Sequence, residues 1–229
     1  MYWIIFFFFL AISIIVQQTL NAKIRKYSKE FLPSGLTGKE VAEKMLHENG
    51  IYDVQVTCIA GRLTDHYNPI NKTLNLSQDV YNGSNVASAA VAAHECGHAI
   101  QHANAYHWLT LRSSLVPVVN FGGNASVWVL LAGLLFMSSS EQFSSFGVIL
   151  AWVGVGLFAL TTLFAFITLP VEYNASKRAL DWLENSNISN SIAHAHAEDA
   201  LKWAARTYVV AALSSLATLL YYISILRDR

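Results

Sequence analysis

The chain has 229 residues and a formal net charge of zero, with 54% hydrophobic residues against 13% charged. A soluble domain carries about a quarter of its residues as Asp, Glu, Lys and Arg, so this sparse charge, clustered between long apolar runs, excludes an ordinary soluble globule. The even balance of charge also offers nothing to attract a nucleic acid, and the two cysteines, Cys58 and Cys96, fit neither a zinc ribbon nor a disulfide scaffold, reading instead as free thiols in a reducing compartment.

The first apolar run covers residues 1–18 and approaches the ~20 residues needed to span a bilayer. A signal peptide has basic residues before its apolar core, whereas here Lys23, Arg25, Lys26 and Lys29 follow it, so an uncleaved anchor is expected. Thr37 with Glu40 three residues on makes a capping box opening a helix. Val41, Ala42, Met45 and Leu46 form that helix's apolar stripe, and Gly50 supplies its stop. Residues 53–60 alternate as a strand, Gly61 and the run 65–69 read as turns, and extended character returns around Leu74 to Leu76. A small sheet of two or three strands follows. Residues 84–103 are rich in small helix formers and read as a helix. Further spans are expected at 115–137, 146–169 and 208–226. Gly122, Gly123, Gly133, Gly147, Gly154 and Gly156 in these spans point to close helix packing.

The positive-inside rule orients the spans. With the N-terminus outside, the segments 20–112 and 170–207 lie in the cytoplasm and hold thirteen of the fifteen Lys and Arg, while the link 138–145 lies outside with none. The expected architecture is mainly α: a multi-pass membrane protein with about four transmembrane helices and a small α+β unit on the cytoplasmic side. Its parts are an anchor at 1–19, a cytoplasmic part at 20–112 with the sheet and the helix from 84, a transmembrane hairpin at 113–169, cytoplasmic helices at 170–207, and a final span at 208–226.

The chemistry lies in His94-Glu95-Cys96-Gly97-His98. Histidines four apart on a helix share a face and can grip one Zn²⁺. Glu95, rotated by roughly 100° about the axis, flanks the ion where a general base must stand to deprotonate metal-activated water. A catalytic zinc needs a third protein ligand and one open position. The metzincin pattern is excluded, because Asn104 stands where its third histidine belongs. His102 continues the series but lies ~12 Å along the axis from His94, so it reads as a supporting or surface group. His66 has no partner spacing, and His194 and His196 point to different faces of their helix. Glu172 is the strongest candidate, expected in the first turn of a helix begun by Pro170, with Ala175, Ser176 and Ala179 on the same face to admit a neighbouring helix closely.

VAAHECGHAIQHA, WLTLRSSLVP, TLPVEYNASKRAL, GRLTDHYNP and LNLS together resemble the bacterial YugP-like neutral zinc metallopeptidases, over most of the chain from about Tyr27 to Arg206. The resemblance implies a membrane zinc protease of the broad type of HtpX and the CAAX-prenyl proteases, binding one Zn²⁺ through His94, His98 and Glu172 with Glu95 as catalyst. Asn174 departs from the aspartate that the resemblance leads one to expect. The expected reaction is peptide-bond hydrolysis in a peptide or membrane-protein substrate, with His196, His194, Arg206 or Tyr173 chemically able to stabilise the oxyanion. A substrate strand pairing with an edge of the sheet between Asp53 and Leu76 is a further expectation, testable with prolines in 73–77. The alternatives are a non-catalytic membrane protein with a structural zinc site and a small transporter. The near absence of ionisable residues in the spans argues against the transporter.

Overall fold

The computed structural model describes residues 2–138 and 141–227. Met1, part of the 138–145 link and Arg229, which entered the topology reasoning, fall wholly or partly outside them. The elements in chain order are α1 (Tyr2–Tyr27), α2 (Gly38–Glu48), β1 (Gln55–Ile59), β2 (His66–Asn68), β3 (Thr73–Ser77), α3 (Gln78–Asn82), α4 (Val86–Ala103), α5 (His107–Met137), α6 (Glu141–Asn185) and α7 (Ser191–Arg227). Among the described residues the chain is mainly helical with one three-stranded sheet, and four helices, Trp3–Tyr27, His107–Met137, Ser144–Asn185 and Ser191–Arg227, are long and apolar enough to cross a membrane.

The chain divides into two compact units, one of Met1–Ile14, Leu111–Leu169 and Tyr208–Arg229, the other of Ile15–Thr110 and Pro170–Thr207. The first unit carries the apolar lengths of the helices, with large side chains such as Trp128 (74%) and Leu135 (71%) turned outward, as a lipid-facing surface requires. Its α5 and α6 meet through glycine. A Cβ on Gly133 would lie 2.4 Å from the backbone N of Ala151, and one on Gly154 would lie 2.7 Å from that of Leu130. The close packing read from the glycines holds at those positions and at Gly147, but Gly156 faces open space.

The second unit is built around α4. The capping box of Thr37 and Glu40 opens α2, and Gly50 at φ +73° closes it. There the Gly50 N–H reaches His47 O and the Ile51 N–H reaches Leu46 O, the two bonds of a Schellman motif. Val41, Met45 and Leu46 of α2, Leu74 and Leu76 of β3, and Ala89, Ala90, Ala93 and Cys96 of α4 make one core with Ala179 and Leu183 of α6 and Ala197 and Leu201 of α7. Small residues on α4 let the other elements come close, so the helix is surrounded on several sides.

The sheet order is β1-β3-β2, with β1 parallel and β2 antiparallel to β3. Four sequence expectations need correction. The 65–69 run is not all turn, because His66–Asn68 forms edge strand β2, held in place by pairing with β3 that no local pattern encodes. Thr73–Ser77 is the central strand, so prolines there would break the sheet rather than probe its edge. Finally, Pro170 starts no new helix: it lies inside the 45-residue α6, and the helix predicted from 84 begins at Val86 behind an Asn85 cap.

Candidate metal centre

His94 and His98 project from one face of α4, and Glu172 comes from α6 of the same compact unit. The two helices approach closely at Gly97, where a Cβ would lie 2.6 Å from Ala175 O. Gly97 stands between the two histidines in sequence, so the close approach occurs where His94, His98 and Glu172 converge. The small-residue face expected at Ala175, Ser176 and Ala179 is buried accordingly.

Glu172 Oε2 lies 3.3 Å from His94 Nε2 and 3.5 Å from His98 Nε2. Ligands at 2.0–2.1 Å from a tetrahedral zinc are separated by about 3.3–3.4 Å, so the observed spacing is that of tetrahedron edges. The three candidate ligand atoms all lie within 4.8 Å of one another. Each imidazole uses its other nitrogen elsewhere: His94 Nδ1 is 3.1 Å from Ser176 Oγ, and His98 Nδ1 is 3.1 Å from Gln101 Oε1. Both Nε2 atoms are thereby directed at Glu172.

The charges fit a divalent cation. Glu172 is 2% exposed and Glu95 8% exposed. Burial alone would raise the Glu172 pKa, but hydrogen bonds and charge from His94 and His98 hold it well below the usual carboxylate range. Burial likewise acts to lower the pKa of His98, and the Glu172 hydrogen bond with the charges of Glu95 and Glu172 outweighs it and raises the value. Two buried carboxylates thus favour positive charge at His98. A divalent ion would balance both carboxylates in place of that proton.

Glu95 makes no part of the three-ligand group. Its Oε2 accepts the backbone N–H of Tyr67 at 3.1 Å, on β2. In the β2–β3 register Tyr67 sits opposite Leu74, yet its N–H points to Glu95, so it faces away from β3 at the free edge of the sheet. The Tyr67 hydroxyl and His102 Nδ1 are 2.8 Å apart, which accounts for His102 as a partner of β2.

The remaining sequence candidates have other contacts. His196 Nδ1 is 2.5 Å from Glu30 Oε2, and its ring stacks on Tyr27 at 4.7 Å. Arg206 lies over the Trp203 ring at 4.1 Å. Tyr173 is exposed, His66 hydrogen-bonds Thr64 and Asn75, and His194 keeps a buried Nδ1 without a hydrogen bond. Gln101 was missed by sequence reasoning, although a glutamine three residues after His98 shares its helical face. Asn174 accepts hydrogen bonds at Oδ1 from Gln101 and Arg178, a role open to asparagine as well as to aspartate.

Residues 2–227 match the profile of the family described as "Putative neutral zinc metallopeptidase". The chain is 39% identical over 216 residues to the "Putative membrane protease YugP" of Bacillus subtilis (strain 168), covering 94% of this chain and 92% of that protein. No solved structure matches. With a family profile spanning nearly every residue and a candidate site of two imidazoles and a carboxylate, the chain belongs to the neutral zinc metallopeptidase family named above.

Proposed function

We propose that this protein is a membrane-bound zinc metalloendopeptidase in which His94, His98 and Glu172 hold one zinc ion and Glu95 is the general base. The observation that carries this reading is the convergence of two Nε2 atoms on one carboxylate oxygen at 3.3 and 3.5 Å, with both Nδ1 atoms already occupied. When bound, zinc supplies Lewis acidity toward a water and toward the scissile carbonyl. Glu95 takes the proton of the attacking water and passes it to the departing amine. Its buried position keeps it out of competing bulk solvent, and the Tyr67 N–H fixes one of its oxygens. A substrate strand laid along the outer edge of β2 would run past Glu95, pairing through backbone groups other than the Tyr67 N–H, which Glu95 takes. That placement supports the edge-pairing expectation on β2.

The site faces the cytoplasm in this reading, because thirteen of fifteen basic residues then lie inside. The catalytic part combines 20–112 with 170–207, and the remaining segments cross the bilayer. The test is Glu95→Gln in the full-length protein: zinc content stays at one per chain while peptide cleavage falls by about 10²–10⁴. Proteomic comparison of cells carrying the two forms should then show uncut membrane proteins accumulating with Glu95→Gln. Unchanged cleavage by Glu95→Gln would remove the glutamate from the chemistry.

A further inference from the structure

We propose that Gln101 is a positioning residue: it keeps the proton of His98 on Nδ1, leaving Nε2 bare toward the metal position, and Asn174 and Arg178 hold it in the one orientation that does so. This inference rests on the ligand set proposed above. A carboxamide has a donor end and an acceptor end, and Gln101 is wholly buried, so each end must be satisfied within the protein. Its Nε2 donates to Val171 O at 2.8 Å and to Asn174 Oδ1 at 3.0 Å. The Val171 carbonyl can only accept. The Asn174 oxygen is itself fixed, since it accepts from Arg178 Nε at 2.8 Å and a guanidinium can only donate.

Turning the Gln101 amide over would set its oxygen against two oxygens and lose both bonds in a buried place. Oε1 therefore faces His98 Nδ1 at 3.1 Å, where only a protonated nitrogen can serve it. A neutral imidazole protonated on Nδ1 has its lone pair on Nε2, the atom 3.5 Å from Glu172 Oε2. The direction of the relay starts from a group that never gives up its donor role and ends on a ligand. His94 lacks such a lock: its Nδ1 partner is the Ser176 hydroxyl, which can donate or accept. Asn174 thus acquires a purpose, and an aspartate at that position would accept the same two bonds.

The experiment measures zinc affinity of the full-length chain in detergent by chelator competition, with the visible absorption of the Co²⁺-loaded protein as a second readout. Gln101→Met should weaken zinc binding by about 10–100-fold and alter the cobalt spectrum, as loss of a partner to a ligating histidine does. Asn174→Asp should stay within about threefold of wild type, while Asn174→Leu should lose about tenfold. Wild-type affinity and spectrum in Gln101→Met overturn the proposal, and so does Asn174→Asp falling as far as Asn174→Leu. If Gln101→Met does not fold, the Asn174 pair decides the matter. Glu172→Gln separates the two layers. If it binds zinc like wild type, the ligand set itself fails. If it loses zinc while Gln101→Met does not, only the positioning role fails.

Discussion

Gly97→Ala is the sharpest test of how the centre is assembled. Its Cβ would lie 2.6 Å from Ala175 O, 2.9 Å from Ala175 Cα and 3.0 Å from the Ala175 carbonyl carbon, all backbone atoms that no rotamer change can move. Restoring an ordinary contact of about 3.4 Å requires α4 and α6 to part by about 0.8 Å at this point. Glu172 is three residues from Ala175 on one helix, and both histidines flank Gly97 on the other, so the separation falls on the ligand spacing. A 3.3 Å separation would open toward about 4 Å, beyond the edge of a zinc tetrahedron of about 3.3–3.4 Å. Overpacking costs about 1–3 kcal/mol, while replacing a helical glycine by alanine returns about 0.5–1 kcal/mol, leaving a loss of roughly 0–2.5 kcal/mol in stability. Zinc affinity should suffer more than stability does. The assay is chelator competition beside thermal unfolding in detergent, with Gly156→Ala, whose Cβ would meet nothing within 4 Å, as the neutral reference. Wild-type zinc affinity in Gly97→Ala would refute the claim that helix proximity at this residue sets the ligand geometry.

Zinc removal should leave a pH signature. Glu172 has a lowered pKa, so its contribution to the zinc-free fold is present above its ordinary 4.5 and is lost as pH falls through the lower folded value. His98 has a raised pKa, so its contribution is full below its ordinary 6.5 and is lost as pH rises through the higher folded value. For this pair, unfolding of chelator-treated protein should be most resistant between those two values, and a Tm rising steadily from pH 6.5 to 8 would contradict the assignment. Zinc affinity should instead climb with pH over the imidazole range, as competition titrations can show, because the ion displaces protons. Thr37→Ala removes a side chain that accepts the Glu40 N–H, and chemical unfolding should record a loss of about 1 kcal/mol with zinc affinity unchanged. Tyr67→Pro keeps the β2–β3 ladder, since that N–H faces away from β3, but removes the donor to Glu95. Peptide turnover should drop while zinc content holds, and full activity would show that neither the donor nor this edge matters.

Local chemistry made much of the fold readable. The Thr37–Glu40 box and Gly50 mark both ends of α2 because each acts within one turn of its own helix. Leu74 and Leu76 announce β3 by alternation, and the structure buries both completely. What stayed hidden depends on partners far along the chain. His66–Asn68 is too short and polar to declare itself, and only the register against Thr73–Asn75 makes it a strand. Pro170 looks like a beginning because its ring forbids one helical bond. In a helix as long as α6 the loss of one bond is tolerated, and the same helix carries on past Pro170 to the turn that bears Glu172.

The same division governs the site. His94, Glu95 and His98 are legible because one helix fixes their relative directions, so spacing alone carries the geometry. Glu172 was readable only as a candidate, since 74 residues separate it from His98 and nothing local says that α6 will lie against α4. Gly97 was the missed clue. A glycine inside a helix costs stability relative to alanine, and within this otherwise alanine-rich helix it is compensated only if another backbone must come close. That backbone is Ala175, three residues past Glu172. The residue that looked like filler between two candidate ligands therefore identifies the segment that supplies the third candidate, and Gln101, on the same helix, bonds to Val171 O and Asn174 Oδ1 on either side of Glu172.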